Sequence, residues 1–494
     1  MRPDGPRSRY GGPALWAVGA TLVFVSAFAL RFGGFGGADL NHRVLHGDEA
    51  VNAIKAAQAW HHFRGRDYRY DPYEFHGPTL PQLSRPILAA NADHIEEVDE
   101  RTLRLLPAFA GVVLVLLTLA AVRDLGRGAA WGAALATALS AAMVFYSRYY
   151  IHEMLLVVFT FGAILCGSRL LRGPPCAGWA AAFGLFVGLM HATKETFVIP
   201  LFAMVVAAGA VYAWRKQSDP DLDWRKFLRP REVAIAAAAA LLVSVAFYSN
   251  FFTYWRGPLD SVLTYKHYLM RSAGHRGAVS HEHSFGWYLS LLLYRGDGKG
   301  AWFSEMPILL LAGVGVLAAV RGRGWGRALW PVRFFAVYTV VMVGVYSLIP
   351  YKTPWSMLGF LHGLCLMAGV GAVGLWRDAP RGWGRPLVAG LLAASFWVTA
   401  DRSMVSNFKY ATDPRNPYVY AHPSHEVRKL IAALAEDCAA GHPAGHRMPV
   451  LLVGDENFWP LPYYLRRFEN LGKLPVAGPW PDLRGAPFVI CDMG

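Results

Sequence analysis

Eleven apolar runs follow one another between residues 13 and 400 of this 494-residue chain. Most of them approach the roughly 20 residues that a helix needs to cross a bilayer. Inside lipid, every backbone N–H and C=O must be satisfied within the protein, so runs of this kind fold as helices. Only 17% of the residues are charged and 54% are hydrophobic, which leaves too little polar surface for a soluble protein of this size. The sequence therefore predicts an α-helical polytopic membrane protein.

The predicted spans divide the chain into two parts. A transmembrane domain covers about residues 1–400, with long polar loops at about 32–100 and 253–300, and a small soluble α/β domain covers 401–494. The first run lacks a small-residue cleavage site, so we expect it to remain as an anchor. The spans are placed at about 13–31, 102–122, 129–146, 154–171, 177–192, 196–214, 233–252, 302–320, 332–349, 356–376 and 386–400.

Basic residues lie on one side of these spans. Arg and Lys cluster before the first span and after every even-numbered span, and the positive-inside rule places such loops in the cytoplasm. These loops explain the net charge of +14 better than nucleic-acid binding does, so no nucleic-acid partner is predicted. Both long loops and the C-terminal domain then lie outside. We expect a multi-pass protein of the plasma (inner) membrane.

Four polar clusters fall on the extracytoplasmic side, next to the ends of spans. Charged groups beside the bilayer are costly unless they serve a site, so their coincidence on one face predicts a shared extracytoplasmic site. The alternative is that each cluster only decorates its own loop. The clusters are Asp48-Glu49, Arg148 with Glu153, Lys194-Glu195, and Tyr351-Lys352.

The acidic pair Asp48-Glu49 precedes a run of helix-forming residues from Ala50 to Trp60. Asp48 is predicted to be the N-cap of that helix, where the positive helix end keeps a carboxylate ionised. An ionised carboxylate can accept a proton or hold a cation. The competing interpretation is an ordinary capped helix on the surface.

Cations and aromatic rings at the membrane edge suit a lipid-linked phosphate and a sugar. Arg148 offers a bidentate fork, and Lys194 and Lys352 offer point charges, to phosphate oxygens. The competing interpretation is local ion pairing that eases helix ends into the headgroups. Trp355 suits either an interfacial aromatic belt or a sugar platform. His76 is predicted either to bond a substrate or to hold its turn against the Asp48 helix.

Five segments together carry a resemblance to a known family. They are His46-Gly47-Asp48-Glu49-Ala50, Tyr73-Glu74-Phe75-His76-Gly77-Pro78, Ser147-Arg148 with Glu153, Thr193-Lys194-Glu195, and Tyr351-Lys352-Thr353-Pro354-Trp355. In this order they resemble the GT-C integral-membrane glycosyltransferases, in the superfamily of protein O-mannosyltransferases and the lipid A aminoarabinose transferase. Within it, the pattern is most similar to the flippase activity-associated proteins. The resemblance covers about residues 13–425, and Gly47 stands where relatives often have Pro.

The resemblance implies a GT-C-like fold and a sugar-transfer reaction. The donor would be a sugar linked to polyprenyl phosphate, and the acceptor a hydroxyl of a glycan, lipid or protein. Transfer would take place outside the cytoplasm with inversion. The partners would be these substrates and membrane lipids. No cofactor would be obligatory, and a divalent metal is not favoured.

The resemblance also implies roles for named residues. Asp48 would be the base that activates the acceptor, Glu49 its acidic neighbour, and Glu153 a second acidic residue of the catalytic site. The substrate-binding residues would be His76, Arg148, Lys194, Glu195, Tyr351, Lys352 and Trp355, with no metal ligand among them. The alternative function is a lipid-linked glycan transporter or a flippase-associated accessory protein. A transporter should carry polar groups along the membrane interior, whereas the charges here sit at helix ends, which favours an enzyme.

Overall fold

Helices dominate the computed structural model of the chain. The helices of the first half are α1 (Pro13–Phe32), α2 (Gly47–Trp60), α3 (Thr79–Asn91), α4 (Glu100–Ala120), α5 (Val122–Leu125), α6 (Arg127–Leu139), α7 (Ala141–Ser147), α8 (Glu153–Arg172), α9 (Ala177–Thr193) and α10 (Val198–Ser218). Those of the second half are α11 (Pro230–Tyr248), α12 (Gly257–Ser272), α13 (Trp287–Leu293), α14 (Met306–Arg321), α15 (Leu329–Leu348), α16 (Leu358–Asp378), α17 (Gly384–Met404), α18 (His425–Gly441) and α19 (Leu461–Tyr464). The structure describes residues 13–33, 39–61, 67–73, 76–227, 229–272, 281–296, 298, 300–423, 425–454, 458–475 and 488–491.

Among the described residues, six helical segments are long and apolar enough to cross a membrane. The bent pair α6–α7 adds a seventh if it forms one span, and α1, α9 and α14 are shorter apolar helices. A helix, α17, also lies where the last span is predicted. The predicted α-helical polytopic fold is therefore confirmed, while the count of eleven spans stays a prediction. The six segments are Glu100–Leu125, Glu153–Arg172, Glu195–Ser218, Pro230–Tyr248, Gly326–Leu348 and Pro354–Asp378.

The predicted span at about 129–146 is not one straight helix, because the chain bends by 60° between α6 and α7. Ser140 breaks the helix by becoming the N-cap of α7, and its hydroxyl accepts a hydrogen bond from Met143 N at 3.3 Å. The carboxylate of Glu305 accepts hydrogen bonds from Ser140 Oγ at 2.8 Å and from Ala142 N at 2.9 Å. The bend directs the end of α7 toward the loop that carries Arg148.

Helix α16 lies at the centre of the bundle and packs against α6, α8, α14 and α15. Glycines make the closest of these approaches possible. A Cβ at Gly369 would lie 2.2 Å from Ala129 O of α6, and a Cβ at Gly371 would lie 1.9 Å from Leu311 O of α14. Neither position accepts a larger side chain without moving a helix, so these glycines fix how closely the middle of α16 approaches α6 and α14.

Two short strands, β1 (Arg295–Gly296) and β2 (Trp302–Phe303), pair antiparallel before α14, and the residues after α18 form a small parallel sheet. Strand β3 (Pro449–Val453) lies between β4 (Asn470–Leu474) and β5 (Phe488–Cys491), and both pairs are parallel. Apolar side chains of α18 and β3 share a small core of their own. Strands and helices therefore both occur in this part of the chain, with the short helix α19 between β3 and β4. The extracytoplasmic position of this unit stays a prediction.

This C-terminal unit docks on the first long loop. Tyr463 OH donates to Val98 O at 2.8 Å, and Tyr464 OH donates to Glu100 Oε1 at 2.9 Å. Tyr464 OH also accepts from Leu45 N at 2.8 Å, directly before α2. Arg466 donates to the carbonyl oxygens of that loop, with Nη2 lying 2.7 Å from Val98 O. The unit is therefore held against the segment that carries Asp48.

Candidate functional site

The start of α2 differs from the prediction in its capping residue. His46, not Asp48, is the N-cap, and its Nδ1 accepts a hydrogen bond from Asp48 N at 3.1 Å. Glu49 completes a capping box, since its carboxylate accepts from His46 N at 2.9 Å. The predicted N-cap role of Asp48 is therefore wrong, because Glu49 at the third helical position pairs with His46. Asp48 is left with a side chain that is 49% exposed.

Glu49 is fully buried and sits in an ion pair. Arg104 donates from Nε to Oε1 and from Nη2 to Oε2, both at 2.8 Å, and Tyr150 N donates to Oε1 at 2.8 Å. Burial alone raises the pKa of Glu49, but the charges of Arg104 and Arg43 and the hydrogen bonds lower it to about 2. These contacts use both carboxylate oxygens to hold α2 against α4 and the loop before α8. They argue against the predicted catalytic role of Glu49 and favour a structural one.

A second group of charges forms where the loop around His76 meets the end of α9. His76 and Lys194 pair as an antiparallel bridge, and Gly77 N donates to Thr193 O at 3.0 Å. The His76 ring lies 3.3 Å from Glu195 Oε2, so its contact is with this corner rather than with α2. Lys194 Nζ donates to Glu153 Oε1. Four residues that the sequence placed in one site are thus brought together.

A narrow cleft opens beside the Glu153–Lys194 pair, between α8, α10, α15 and α16. Its polar end carries Glu153, Lys194, Thr196 and Ser356. The remaining lining is largely apolar and aromatic and comprises Leu156, Val157, Thr160, Phe161, Ile164, Pro200, Tyr338, Met342, Tyr346, Trp355, Leu358, Gly359, His362 and Leu366. The site thus combines a charged head region with a long apolar groove between helices.

Trp355 connects this cleft with the start of α2. Its ring lines the cleft and meets the His46 ring edge to face at a centroid distance of 5.3 Å. The Tyr149 ring stacks beside Trp355 at 6.4 Å. Since His46 bonds to the backbone of Asp48, the exposed carboxylate of Asp48 lies at the rim of the same aromatic cluster. Trp355 therefore lies between the start of α2, which carries Asp48, and the cleft, which is lined by Lys194.

Two of the predicted phosphate-binding cations are held elsewhere. Arg148 donates to Asn407 O at 3.1 Å and Asp39 O at 3.0 Å. Lys352 Nζ donates to His283 O at 3.1 Å. Of the three predicted cations, Lys194 is the one that lines the cleft. Arg148 and Lys352 do not line this cleft and donate to backbone carbonyls instead, so their role in phosphate binding stays a prediction.

Tyr351 lies at the opposite edge of the aromatic cluster and joins the second long loop to it. It pairs with Glu282 as an antiparallel bridge, and its ring lies 5.2 Å from that of His281. His281 Nδ1 lies 2.7 Å from Tyr420 OH, and the Tyr420 ring meets Trp355 at 5.9 Å. The second loop thus closes over Trp355 from the side away from α2.

Two further residues of this region, one buried and one partly buried, were not predicted. The Arg43 guanidinium lies over the rings of Phe145 and Tyr149 at 4.2 and 4.7 Å, and its Nη1 has no hydrogen-bond partner among the described residues. His422 meets the His46 ring at 5.9 Å, and burial followed by the charge of Arg43 lowers its pKa to about 3. Arg43 stands three residues before His46 and could have been noticed, whereas nothing in the sequence links His422 to this loop.

Comparison with known proteins gives a partial match in sequence and a nearly complete one in fold. Residues 87–259 match the family of dolichyl-phosphate-mannose-protein mannosyltransferases. The chain is 27% identical over 185 residues to protein O-mannosyl-transferase 1 of Mus musculus, which is 35% of this chain and 25% of that protein. A protein of the same name from Rattus norvegicus is 26% identical over 185 residues. The chain thus matches about a quarter of the length of these curated relatives.

Two solved structures share the fold over most of this chain. ArnT from Cupriavidus metallidurans, bound to undecaprenyl phosphate, aligns with a TM-score of 0.61 and 15% identity over 93% of this chain and 86% of that one. The oligosaccharyltransferase of Archaeoglobus fulgidus in its apo form aligns with a TM-score of 0.62 and 12% identity over 95% of this chain and 65% of that one. The chain therefore shares the GT-C fold of these two structures, and about a third of its sequence is similar to the mannosyltransferase family.

Proposed function

We propose that this chain is a membrane glycosyltransferase that moves a sugar from a polyprenyl-phosphate-linked donor to an acceptor hydroxyl. The reaction takes place on the extracytoplasmic face and inverts the anomeric carbon. The similarity to protein O-mannosyl-transferase 1 supports the class of reaction. The undecaprenyl phosphate bound by ArnT supports the class of donor.

The cleft beside Lys194 is the observation that carries the proposal. A polyprenyl-phosphate sugar has a charged head next to a long unbranched run of isoprene units. The cleft offers one ammonium at its polar end and an apolar groove lined from Leu156 to Leu366. Lys194 already pairs with Glu153, but an ammonium has three N–H donors, so it can also donate to a phosphate oxygen. Shape and charge therefore fit an amphiphile with one anionic head.

In the proposed reaction, Asp48 accepts the proton of the acceptor hydroxyl as the oxygen bonds to the anomeric carbon. The bond between that carbon and the phosphate oxygen breaks, and the polyprenyl phosphate leaves with the electron pair. A single displacement of this kind inverts the anomeric carbon. Lys194 balances the charge of the leaving phosphate. Trp355, between the two regions, provides a flat face for the sugar ring.

The remaining predicted residues take supporting roles in this proposal. Glu153 holds the ammonium of Lys194, and Glu195 holds the His76 ring. Glu49 fixes the first turn of α2, so it positions Asp48 rather than reacting itself. The expectation that no metal is needed stays a prediction.

Binding of polyprenyl phosphate tests the donor site. Native mass spectrometry of the detergent-solubilised protein would measure the bound fraction for wild type, Lys194→Met and the double variant Lys194→Met/Glu153→Met. The double variant is included because Lys194→Met alone leaves a buried carboxylate without its cation. Both variants should bind at least ten-fold more weakly than wild type.

Lys409→Met is a matched control, since Lys409 is exposed and outside the cleft. It should bind polyprenyl phosphate like wild type. If the well-folded double variant bound as tightly as wild type, Lys194 would not be the donor site. Normal binding with no sugar transfer to any acceptor would instead favour the transporter or accessory function.

A further inference from the structure

A row of large apolar side chains is exposed on α12, the helix that follows α11. Leu259, Val262 and Leu263 are spaced at i, i+3 and i+4 and therefore share one face. Their exposed fractions are 60%, 63% and 39%. Lys266, one turn further along the same face, is also exposed. A contiguous apolar patch of this kind marks an interaction surface.

The turn before α12 extends this patch with three exposed aromatic side chains. Phe251, Phe252 and Trp255 have exposed fractions of 46%, 47% and 66%. Asn250, Phe251 and Phe252 have φ values of 50°, 55° and 69°, in the left-handed region that bulky residues rarely adopt. Gln82 Nε2 anchors the turn by donating to Asn250 Oδ1 at 2.6 Å. The turn therefore holds two phenylalanines outward, next to the apolar face of α12.

Helix α12 runs across the ends of two spans on one side of the bundle. Its first residue, Gly257, packs on the last residue of α11, where a Cβ would lie 1.9 Å from Tyr248 O. Further along, Tyr265 OH donates to Glu195 O at 3.1 Å, at the start of the span that continues as α10. Consecutive spans run in opposite directions, so both contacts lie at the same face. The helix therefore lies along the membrane surface rather than through it.

Three polar residues in the first half of α12 face the protein, the reverse of a helix exposed to water. Asp260, Ser261 and Thr264 are only 2%, 3% and 1% exposed. Thr264 Oγ1 donates to Pro72 O at 2.7 Å, and Asp260 pairs with Arg256 at 3.3 Å. A helix surrounded by water turns its apolar stripe inward. The opposite arrangement indicates that the outer face of α12 meets an apolar environment.

We propose that the outer face of α12, together with Phe251, Phe252 and Trp255, docks on the lipid bilayer at the boundary between headgroups and acyl chains. The patch continues the lipid-facing surface of α11, whose Leu241 and Leu242 are 67% and 62% exposed. Tryptophan is enriched at this depth of the bilayer. Lys266 extends its ammonium from the same face into the headgroups while its stem stays in the apolar layer.

This docking would set how deep in the membrane surface the loop with Pro72 and Tyr73 lies, next to the cleft. Thr264 holds Pro72, and the Tyr73 ring lies 4.2 Å from the ring of His267 on α12. The same loop leads to His76, which pairs with Glu195. Lipid contact thus positions the loop relative to the polar end of the cleft. The inference concerns a lipid surface and does not depend on the proposed sugar transfer.

Accessibility of spin labels tests the docking. Nitroxides would be attached at Leu259→Cys and Val262→Cys in a cysteine-free background and measured in phosphatidylcholine–phosphatidylglycerol nanodiscs. Power saturation with oxygen and with a nickel chelate reports exposure to lipid and to water. Leu241→Cys on α11 is the lipid reference, and Asp437→Cys, exposed on α18, is the aqueous reference.

Labels at positions 259 and 262 should be accessible to oxygen and shielded from nickel, as at Leu241→Cys. Nickel accessibility equal to that at Asp437→Cys would overturn the proposal. Low accessibility to both reagents would overturn it too, because a protein surface would then cover the face. Elution as a single symmetric peak controls for folding, and Leu263→Cys replaces a variant that fails this control.

Discussion

Two adjacent carboxylates of α2 have opposite environments. Asp48 is half exposed at the rim of an aromatic cluster, whereas Glu49 is fully buried and bonded through both oxygens. Successive residues of a helix point about 100° apart, so only one of a neighbouring pair can face a site. This geometry leaves the Asp48 carboxylate accessible and makes Glu49 a structural anchor.

Glu49→Gln should lower the stability of the protein far more than Asp48→Asn. Removing the charge of Glu49 leaves Arg104 buried without its anion, which costs about 3–5 kcal/mol. Asp48→Asn changes a half-exposed group and should cost less than about 1 kcal/mol. Thermal unfolding in detergent, followed by the fluorescence of a thiol-reactive dye at buried cysteines, compares the two variants. Equal destabilisation by both would contradict the division of roles.

The acid sensitivity of folding should depend on Glu49. Its pKa falls from 4.5 to about 2 in the folded state, so the ionised carboxylate stabilises the fold above about pH 4.5. This contribution is lost progressively as the pH falls from that value toward 2. The wild-type protein should therefore lose more stability than Glu49→Gln over this window. Parallel losses in both would show that another group controls the acid transition.

Individual residues could be predicted only in part from the sequence. The adjacent carboxylates of Asp48 and Glu49 at a membrane edge indicated a site. The sequence did not show which of them would be buried, because the partner of Glu49 is Arg104, 55 residues further along the chain. The grouping of Glu153 with Lys194 followed from sidedness alone. The sequence could not show that Arg148 and Lys352 donate to backbone carbonyls outside the cleft, because every residue type carries such an acceptor.

The break between α6 and α7 depends on a single distant side chain. Glu305, at the N-terminus of α14, accepts from both Ser140 and Ala142. Hydropathy could not reveal this break, since residues 129–146 form one continuous apolar run. Elsewhere the helices lie close to the predicted spans, because a span is set mainly by the thickness of the bilayer.

Glu305→Ala should destabilise the bend more than Glu305→Gln does. Alanine leaves the hydroxyl of Ser140 and the N–H of Ala142 buried without an acceptor, and each costs about 1–3 kcal/mol. Glutamine keeps one carbonyl oxygen and should cost less than half as much. Hydrogen exchange of the amides of residues 140–147 gives the local readout. Equal exchange in both variants would show that the carboxylate does not hold the bend.

The fold class of the whole molecule could be predicted from the sequence, but the contacts between distant segments could not. Periodic apolar runs and one-sided basic loops gave the helical membrane fold, since both follow from the physics of the bilayer. The docking of Tyr463 and Tyr464 on the first loop was not foreseen, because it joins segments more than 360 residues apart. Short strands such as β4 are also hard to predict, because five residues show little alternation of polar and apolar side chains.

The topology follows from the basic loops and is directly measurable. Reporter fusions after residues 128 and 325 should give a cytoplasmic signal, and fusions after 195 and 420 an external one. The physical reason is the retention of Arg- and Lys-rich loops on the cytoplasmic side. An internal signal at 195 would contradict an external cleft, since Lys194 lines it. An internal signal at 420 would remove α17 as a span.

Sugar transfer by wild type and Asp48→Asn in nanodiscs tests the proposed reaction most directly. Both proteins would receive a panel of polyprenyl-phosphate sugars and a membrane extract as acceptor, with donor binding measured separately. Wild type should transfer sugar from at least one donor. Asp48→Asn should bind that donor normally and transfer it about 10² to 10⁴-fold more slowly, the usual contribution of a general base. Transfer by Asp48→Asn at the wild-type rate would contradict Asp48 as the base, and the absence of transfer from every donor by folded wild-type protein would contradict the proposed function.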